Sequence, residues 1–328
     1  MNASRPNAMS LEAFEACAAE YDRAVARADI VDRFCSLSDW VVPAKRAFHP
    51  DVPTLVYRLG AGWVPLMTFE TTLGRTWMPL EASWGLASAL VSEEPARLSR
   101  QFAQVALENR DAWDALFLTG LKRGGRAFTQ LVHAFGRGMR LGLGKPTVRY
   151  VASLEGGMDG WLGRRTRTFR KNLRAAVRKC PDAITFSCIA NVPPDAVADL
   201  FTEVMSVEAK SWKGQSGVGV AEGPMRAFYA EMVPRLASRG ALRITTARDA
   251  DGLLIGFVLG GLLGTSYRGL QISYADSYRH LSLGNLLQRT TIEGLASEGV
   301  LSYDLGTEKD YKRFWAEEQR ESVPLVIR

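Results

Sequence analysis

Between residues 269 and 299 the chain places small and basic residues at a junction suited to an anion. Gly269-Leu270-Gln271-Ile272-Ser273-Tyr274 alternates as a strand does. Arg279-His280-Leu281-Ser282-Leu283-Gly284 follows, and then Leu286, Leu287, Thr290, Ile292, Leu295 and Ala296 recur at helical spacing until Gly299. A strand that feeds a small-residue turn and then a helix start leaves backbone N–H groups converging on one point, at the positive end of the helix dipole. A phosphate or pyrophosphate suits that point. Ser282 and Gly284 keep bulk away from it, and Arg279 can add a positive charge. The same residues also describe an ordinary helix N-terminus capped by Ser282.

A second stretch, residues 164–179, holds eight Arg or Lys residues and no acid. On a helix, Arg164, Arg167, Lys171, Arg174 and Arg178 step along one face, while Leu162, Phe169, Leu173, Ala176 and Val177 line the face toward the core. Like charges four residues apart repel by a few tenths of a kcal/mol per pair, about 0.2–0.5. A bound anion explains such a stripe, and so does a solvated basic face. The anion could be the adenosine phosphates of a coenzyme, a carrier protein's phosphopantetheine, a polyphosphate-linked lipid or a tRNA. The stripe lacks the interleaved aromatics of a single-strand RNA binder.

Glu208-Ala209-Lys210-Ser211-Trp212-Lys213-Gly214 closes an amphipathic run containing Leu200, Phe201 and Val204. Trp212 beside Lys213 at a helix end, before the segment from Gly214 to Gly223, describes a lid over a substrate, with Lys213 or Glu208 touching it. Trp212 as a core plug and solvated charges describe it equally.

Periodicity supplies the elements that position these groups. Leu11, Phe14, Ala18 and Tyr21 have helical spacing, and a second apolar run ends at Trp40. Residues 55–59 and 62–68 are predicted as a hairpin turning at Gly60-Ala61-Gly62. Helices over 95–108 and 127–135 flank a buried strand at 114–118, and 146–151 is another strand. In the second half the spacing predicts a helix over 159–180, a strand near 184–189, a helix over about 195–210 and a three-stranded meander through 241–274. A helix at 284–298, a strand at 301–305, a helix at 308–318 and a strand at 322–327 complete it. Such interleaving gives a mixed sheet with helices on both faces.

The Arg279–Gly284 segment resembles the R/Q-x-x-G-x-G/A loop of the GNAT acyltransferase superfamily, with Ser282 in place of the first glycine. Glu208 to Gly214, the lead-in Tyr274-Ala275-Asp276-Ser277-Tyr278, the pair Tyr303-Asp304-Leu305-Gly306 and Tyr311-Lys312-Arg313-Phe314-Trp315, and the arginine-rich helix extend the resemblance to the CelD-like and FemAB-like branch over about residues 150–320. The resemblance implies an α/β protein of two GNAT-like halves, each a mixed, largely antiparallel sheet flanked by helices. Residues 1–150 would form a first domain without a phosphate loop, and residues 151–328 the acyltransferase domain.

The resemblance also implies roles. Arg279, Leu281, Ser282, Leu283, Gly284 and Asn285 would hold acyl-CoA, such as acetyl-CoA, as co-substrate. Acyl transfer to an amine needs a neutral nitrogen, and Glu208 and Asp276 are the carboxylates placed to take its proton; Asp276 also suits a turn. Tyr311 matches the tyrosine that protonates the departing thiolate, and Lys312 the lysine that meets acceptor phosphate. Phe314 and Trp315 read as core packing. Trp212, Lys213, Lys312, Arg167, Lys171 and Arg174 would line the substrate site. The expected reaction is direct transfer of an acyl group from acyl-CoA, or from an acyl carrier protein, to an amine acceptor, because no cysteine sits beside an activating base. The other readings are an aminoacyl-tRNA-dependent FemAB-like transferase, against which stands the lack of a long helical-hairpin insertion, and a non-catalytic GNAT-like module of a polysaccharide or natural-product pathway.

Composition bounds these readings. The chain has 328 residues, 47% of them apolar and 23% charged, which describes a globular protein with a sizeable core. A net charge of +6 and a pI near 9.2 favour anionic partners. Cys17, Cys35, Cys180 and Cys188 share no metal-ligand spacing, and His49, His133 and His280 share none either, so no metal is expected. The N-terminus lacks a signal core and no run is long enough to span a bilayer, so the expected location is cytoplasmic. No Rossmann or Walker pattern occurs.

Overall fold

Gly60, at φ +62°, turns the chain between β1 (Thr54–Leu59) and β2 (Gly62–Thr71), which pair antiparallel as their alternation predicts. The computed structural model describes residues 8–328 and divides them into two units. One is the chain up to Val148 with Glu321–Arg328, and the other is Arg149–Arg320.

In the first unit β2 pairs antiparallel with β3 (Gly74–Pro79), and β3 runs parallel to β4 (Ala115–Leu121). The last strand of the chain, β12 (Glu318–Ile327), lies antiparallel to β4 and to the short β5 (Leu141–Leu143). A boundary at 150/151 would assign all of the C-terminus to the second half; instead Val323, Leu325, Val326 and Ile327 pair with β4, and Leu325 and Ile327 enter the core around Trp77, Phe102 and Trp113.

Between β3 and the helix Pro95–Glu108 the backbone wraps around a buried carboxylate. Glu81 accepts from the N–H groups of Trp84 (2.6 Å), Gly85 (3.3 Å), Leu86 (2.9 Å) and Ala87 (3.1 Å). Burial pushes its carboxyl up to about 7 against the pull of those donors. Here the chain supplies its own carboxyl group to a cluster of donors.

The second unit opens with β6 (Thr147–Ser153), of which Arg149–Ser153 belong to this unit, and carries β7 (Thr185–Ala190), β8 (Leu242–Arg248), β9 (Leu254–Leu263), β10 (Ser266–Tyr274) and β11 (Ser302–Thr307). Its order is β6-β11-β10-β9-β8-β7, antiparallel throughout except for the parallel pair β10 and β11. Both units therefore repeat one order: three antiparallel strands, a helix, and a strand parallel to the third. In the second unit that helix is Leu283–Ser297.

Four sequence expectations change. The helix foreseen over 159–180 is two, Gly157–Gly163 and Arg167–Lys179. Thr166 caps the second through a bond from Phe169 N, and Arg164 leaves the stripe to bond the carbonyls of Ser153 (2.7 Å) and Glu155 (3.0 Å) and the Glu317 carboxylate (3.1 Å). The helix foreseen over 308–318 is a single 3-10 turn, Asp310–Phe314. Glu317 is pinned by Ser153 N, Arg164 and Arg165, and β12 begins at the next residue, so a helix cannot continue. Val177 and Phe314, expected in the core, are 39% and 51% exposed, whereas Trp315 is buried against Trp161. Helices Ser38–Phe48 and Gly223–Ser238 were not foreseen; Pro43 and Pro234 lie inside them, and Gly223-Pro224 reads as a loop although proline suits a first helical turn. No helix among the described residues is long and apolar enough to cross a membrane.

Candidate active site

β10 and β11 pair for three residues only: Ser266 with Ser302, Tyr267 with Tyr303 and Arg268 with Asp304. Beyond Arg268, β10 keeps its register with β9 but has none with β11 among the described residues, so a gap opens between the strands. A bulge falls there, because the register passes from Gly269–Gly260 to Gln271–Leu259 and leaves Leu270 unpaired. The Leu270 carbonyl accepts from Tyr229 Oη (3.3 Å) and the Ile272 carbonyl from Lys213 Nζ (2.6 Å).

A carboxylate approaches β10 from the helix Val197–Lys210. Glu208 is fully buried, and its Oε1 accepts from Gln271 Nε2 (2.8 Å) and Val220 N (3.1 Å). Its Oε2 has no hydrogen-bond partner among the described residues. Gly219 approaches closely enough that an added Cβ would sit 3.0 Å from Glu208 Oε1, so the segment after Gly214 lies over the carboxylate. Burial lowers the Lys213 ammonium, although the Glu208 charge pulls the other way. Trp212 is 56% exposed and plugs no core.

At the foot of β11, Asp304 binds Arg149 and Arg268 (2.9 Å) and accepts from Gly306 N (2.8 Å). Lys312 Nζ donates to the Thr307 carbonyl (2.7 Å). A Cβ added to Gly306 would meet that ammonium at 3.5 Å and the Gly269 carbonyl at 3.7 Å, which sets Lys312 beside the gap. Burial first, and the Arg268 charge second, bring Lys312 down to about 8. Tyr311 lies on the same 3-10 turn, 45% exposed, with partial desolvation raising its phenol. Tyr303 is committed to the core by its bond to Gln288 Oε1 (2.5 Å).

The turn after β10 departs from a capped helix start. Asp276–Leu281 forms a 3-10 segment, and Tyr278 Oη ties it to Asp249 (3.0 Å). Ser282, at φ +59° and ψ 33°, precedes the helix without any side-chain cap bond. This left-handed position is where a glycine is easiest, and it is the position of the first glycine in the GNAT pattern. The Ser282 carbonyl takes the N–H groups of Asn285 (2.9 Å) and Leu286 (3.3 Å). That engages the Asn285 N–H and leaves those of Leu283 and Gly284 at the open helix end. Gly284 faces Tyr274, whose Cε1 an added Cβ would meet at 3.2 Å.

A family model described as an acetyltransferase (GNAT) domain matches residues 167–313. Over these residues the chain is similar to the GNAT family. Three solved structures are similar in fold. FemX is 13% identical, with 93% of this chain and 95% of that chain covered at a TM-score of 0.63. L-PGS from Bacillus licheniformis is 10% identical, covering 94% and 90% at 0.58. A tandem GNAT protein from the clavulanic acid biosynthesis pathway is 14% identical, covering 98% and 97% at 0.51. No curated protein matches the sequence. The fold is that of two GNAT-like halves, similar to FemX and to the tandem GNAT protein, each a mixed, largely antiparallel sheet with flanking helices.

Glu208, Lys213 and Lys312 thus come to one end of β10, with Tyr311 on the Lys312 turn. Among the described residues no hydrogen bond or ion pair joins Asp276 to any of them, and Arg279 is exposed. Arg167, Lys171 and Arg174 stand exposed on their helix, without ion pairs among the described residues. Sequence reading missed Gln271, Arg268, Asp304 and Arg149. Polar residues inside strands were the available signal, since a buried strand has little use for them otherwise. Among the described residues no cluster of three or more His, Cys, Asp or Glu side chains could hold a metal.

Proposed function

We propose that the GNAT domain is an N-acyltransferase that uses acyl-CoA, or an acyl carrier protein, and an amine acceptor. The observation that carries this reading is Glu208: a buried carboxylate with one oxygen unpartnered, bonded to the strand that borders the gap. The amine nitrogen attacks the thioester carbonyl, an N–C bond forms and the C–S bond breaks. The proton leaving the nitrogen passes to Glu208, directly or through water, with Asp276 as the second candidate base. The departing thiolate takes a proton from Tyr311.

The N–H groups of Leu283 and Gly284, with Arg279, Leu281, Ser282 and the Asn285 side chain around them, suit the donor's pyrophosphate. Lys213 and Lys312 suit an acceptor that carries negative charge, Trp212 would shield the site, and Arg167, Lys171 and Arg174 would meet an anionic part of either substrate. An aminoacyl-tRNA donor is the second reading, supported by the likeness to FemX; the longest described helix has 16 residues, which leaves no long helical hairpin in the described chain.

The test is to incubate the protein with a panel of acyl-coenzymes A and amines, following free thiol and the mass of the acylated amine. A matching coenzyme at a hundred times its Kd should also raise stability by about 2.7 kcal/mol. If no acyl-coenzyme A binds or is consumed, and no loaded carrier protein serves instead, the reading is lost.

A further inference from the structure

Arg170, Arg174 and Arg178 follow one another at four-residue spacing on the helix Arg167–Lys179, so they form a row along it. None of the three has an ion-pair partner among the described residues. Arg289, on the helix Leu283–Ser297, lies across a cavity of about 280 Å³ from them and is itself paired with Glu293. The floor of this cavity is apolar: Leu173 is buried, and Val177 stays partly open to it.

The row runs over eight helical steps, or roughly 12 Å of helix. A single nucleotide phosphate would engage one or two of these cations and leave the rest repelling one another. An RNA backbone would use the arginines but not the apolar floor, and no aromatic ring lines the cavity for a base to stack on. A flat anionic bilayer would meet the rim and not reach into a concavity. A helix that offers one apolar side chain between acids at four-residue spacing satisfies both features, the anchor filling the cavity and the acids meeting the row.

We propose that this groove docks an acidic helix of an acyl carrier protein, which delivers the thioester to the gap between β10 and β11. The cargo rests on the group-transfer reading above; the docking contact does not. Arg289 stands six residues along the helix whose first turn carries Leu283 and Gly284, roughly 9 Å, so a carrier seated on the groove lies close to the proposed pyrophosphate site.

The test uses the apo form of an acyl carrier protein, without its prosthetic arm, so that only the protein surfaces are read. Fluorescence anisotropy of the labelled carrier is measured against the full chain at about 50 and about 300 mM salt. Saturable binding that weakens with salt is expected. Arg170→Glu with Arg178→Glu should weaken it at least about tenfold, and Val177→Lys, which keeps the sign of the charge and removes the apolar floor, should do the same. All are exposed or partly exposed positions, and circular dichroism checks that the helix persists. Absence of carrier binding overturns the proposal, as does binding that the variants leave untouched. Binding of phosphatidylglycerol vesicles or of transfer RNA that responds to the same variants, while the carrier does not bind, overturns it too. Turnover with free acyl-coenzyme A is read separately, so its failure would sink the enzymatic reading and leave this contact measurable.

Discussion

Gln271 donates its side-chain amide to Glu208 across 2.8 Å, coupling the helix Val197–Lys210 to the bulged strand that edges the gap. With Val220 N on the same oxygen, Glu208 Oε1 is fully used and Oε2 is left without a partner. An enclosed carboxylate oxygen with no donor is unfavourable for the resting fold by about 1–3 kcal/mol or more, which a bound amine would relieve.

Glu208→Gln separates the two jobs of this side chain. The amide oxygen can still accept from Gln271 and Val220, so the segment over the site should stay in place. Proton acceptance is lost, and kcat should fall about a hundredfold or more. The checks are turnover and the thermal midpoint; wild-type turnover in a stable variant would leave Glu208 as a latch for Val220 and nothing else.

Tyr311→Phe should lower kcat about a hundredfold with coenzyme affinity held. The ring is 45% exposed, so losing its hydroxyl should scarcely alter stability. Single-turnover release of thiol is the measurement. An unchanged rate would mean that the thiolate leaves without Tyr311.

Ser282→Gly should stabilise the fold by up to about 1 kcal/mol. A side chain at φ +59° is strained by roughly 1–2 kcal/mol, and the added freedom of glycine in the unfolded chain takes back part of that gain. Urea unfolding reads the difference, and a loss of stability would show that the serine side chain holds a bond worth more than the strain. Donor affinity should hold or rise, since the helix end is unchanged.

Glu81 should make the first unit more stable in mild acid. Its carboxyl is raised to about 7 in the fold, above the ordinary value near 4.3 in an unfolded chain. The folded state therefore binds the proton more tightly. The contribution is complete below about pH 4 and is lost as pH rises through about 7. Unfolding measured from pH 5 to 8 should show this decline, and Glu81→Gln should flatten it. A wild-type profile that rises over that range would mean the four N–H donors outweigh burial.

Alternation wrote β1, β2 and β10 into the sequence, and short apolar runs did the same for β4 and β9, because each of these signals is complete within a few residues. Helical spacing did the same for Pro95–Glu108 and Leu283–Ser297, and the small residues between β10 and that helix located the turn. Periodicity also exposed the arginine row, since one helix face is a local property. It could not show that Arg164 leaves the row, because its carboxylate partner Glu317 lies 153 residues away. Nor could it separate the Asp310–Phe314 turn from a helix, since Glu317 and the pairing of β12 decide that.

The candidate site belongs mostly to the second kind. Gln271 meets Glu208 across 63 residues of sequence, and Arg149 meets Asp304 across 155. Whether Ser282 capped its helix was open in the sequence, because a serine suits either role. Only the path of the chain from β10, tied down where Tyr278 meets Asp249, puts Ser282 in the left-handed region and frees the helix end. Local pattern determined which elements exist; long-range pairing determined which side chains share a site, because hydrogen bonds and burial act between residues that folding alone makes neighbours.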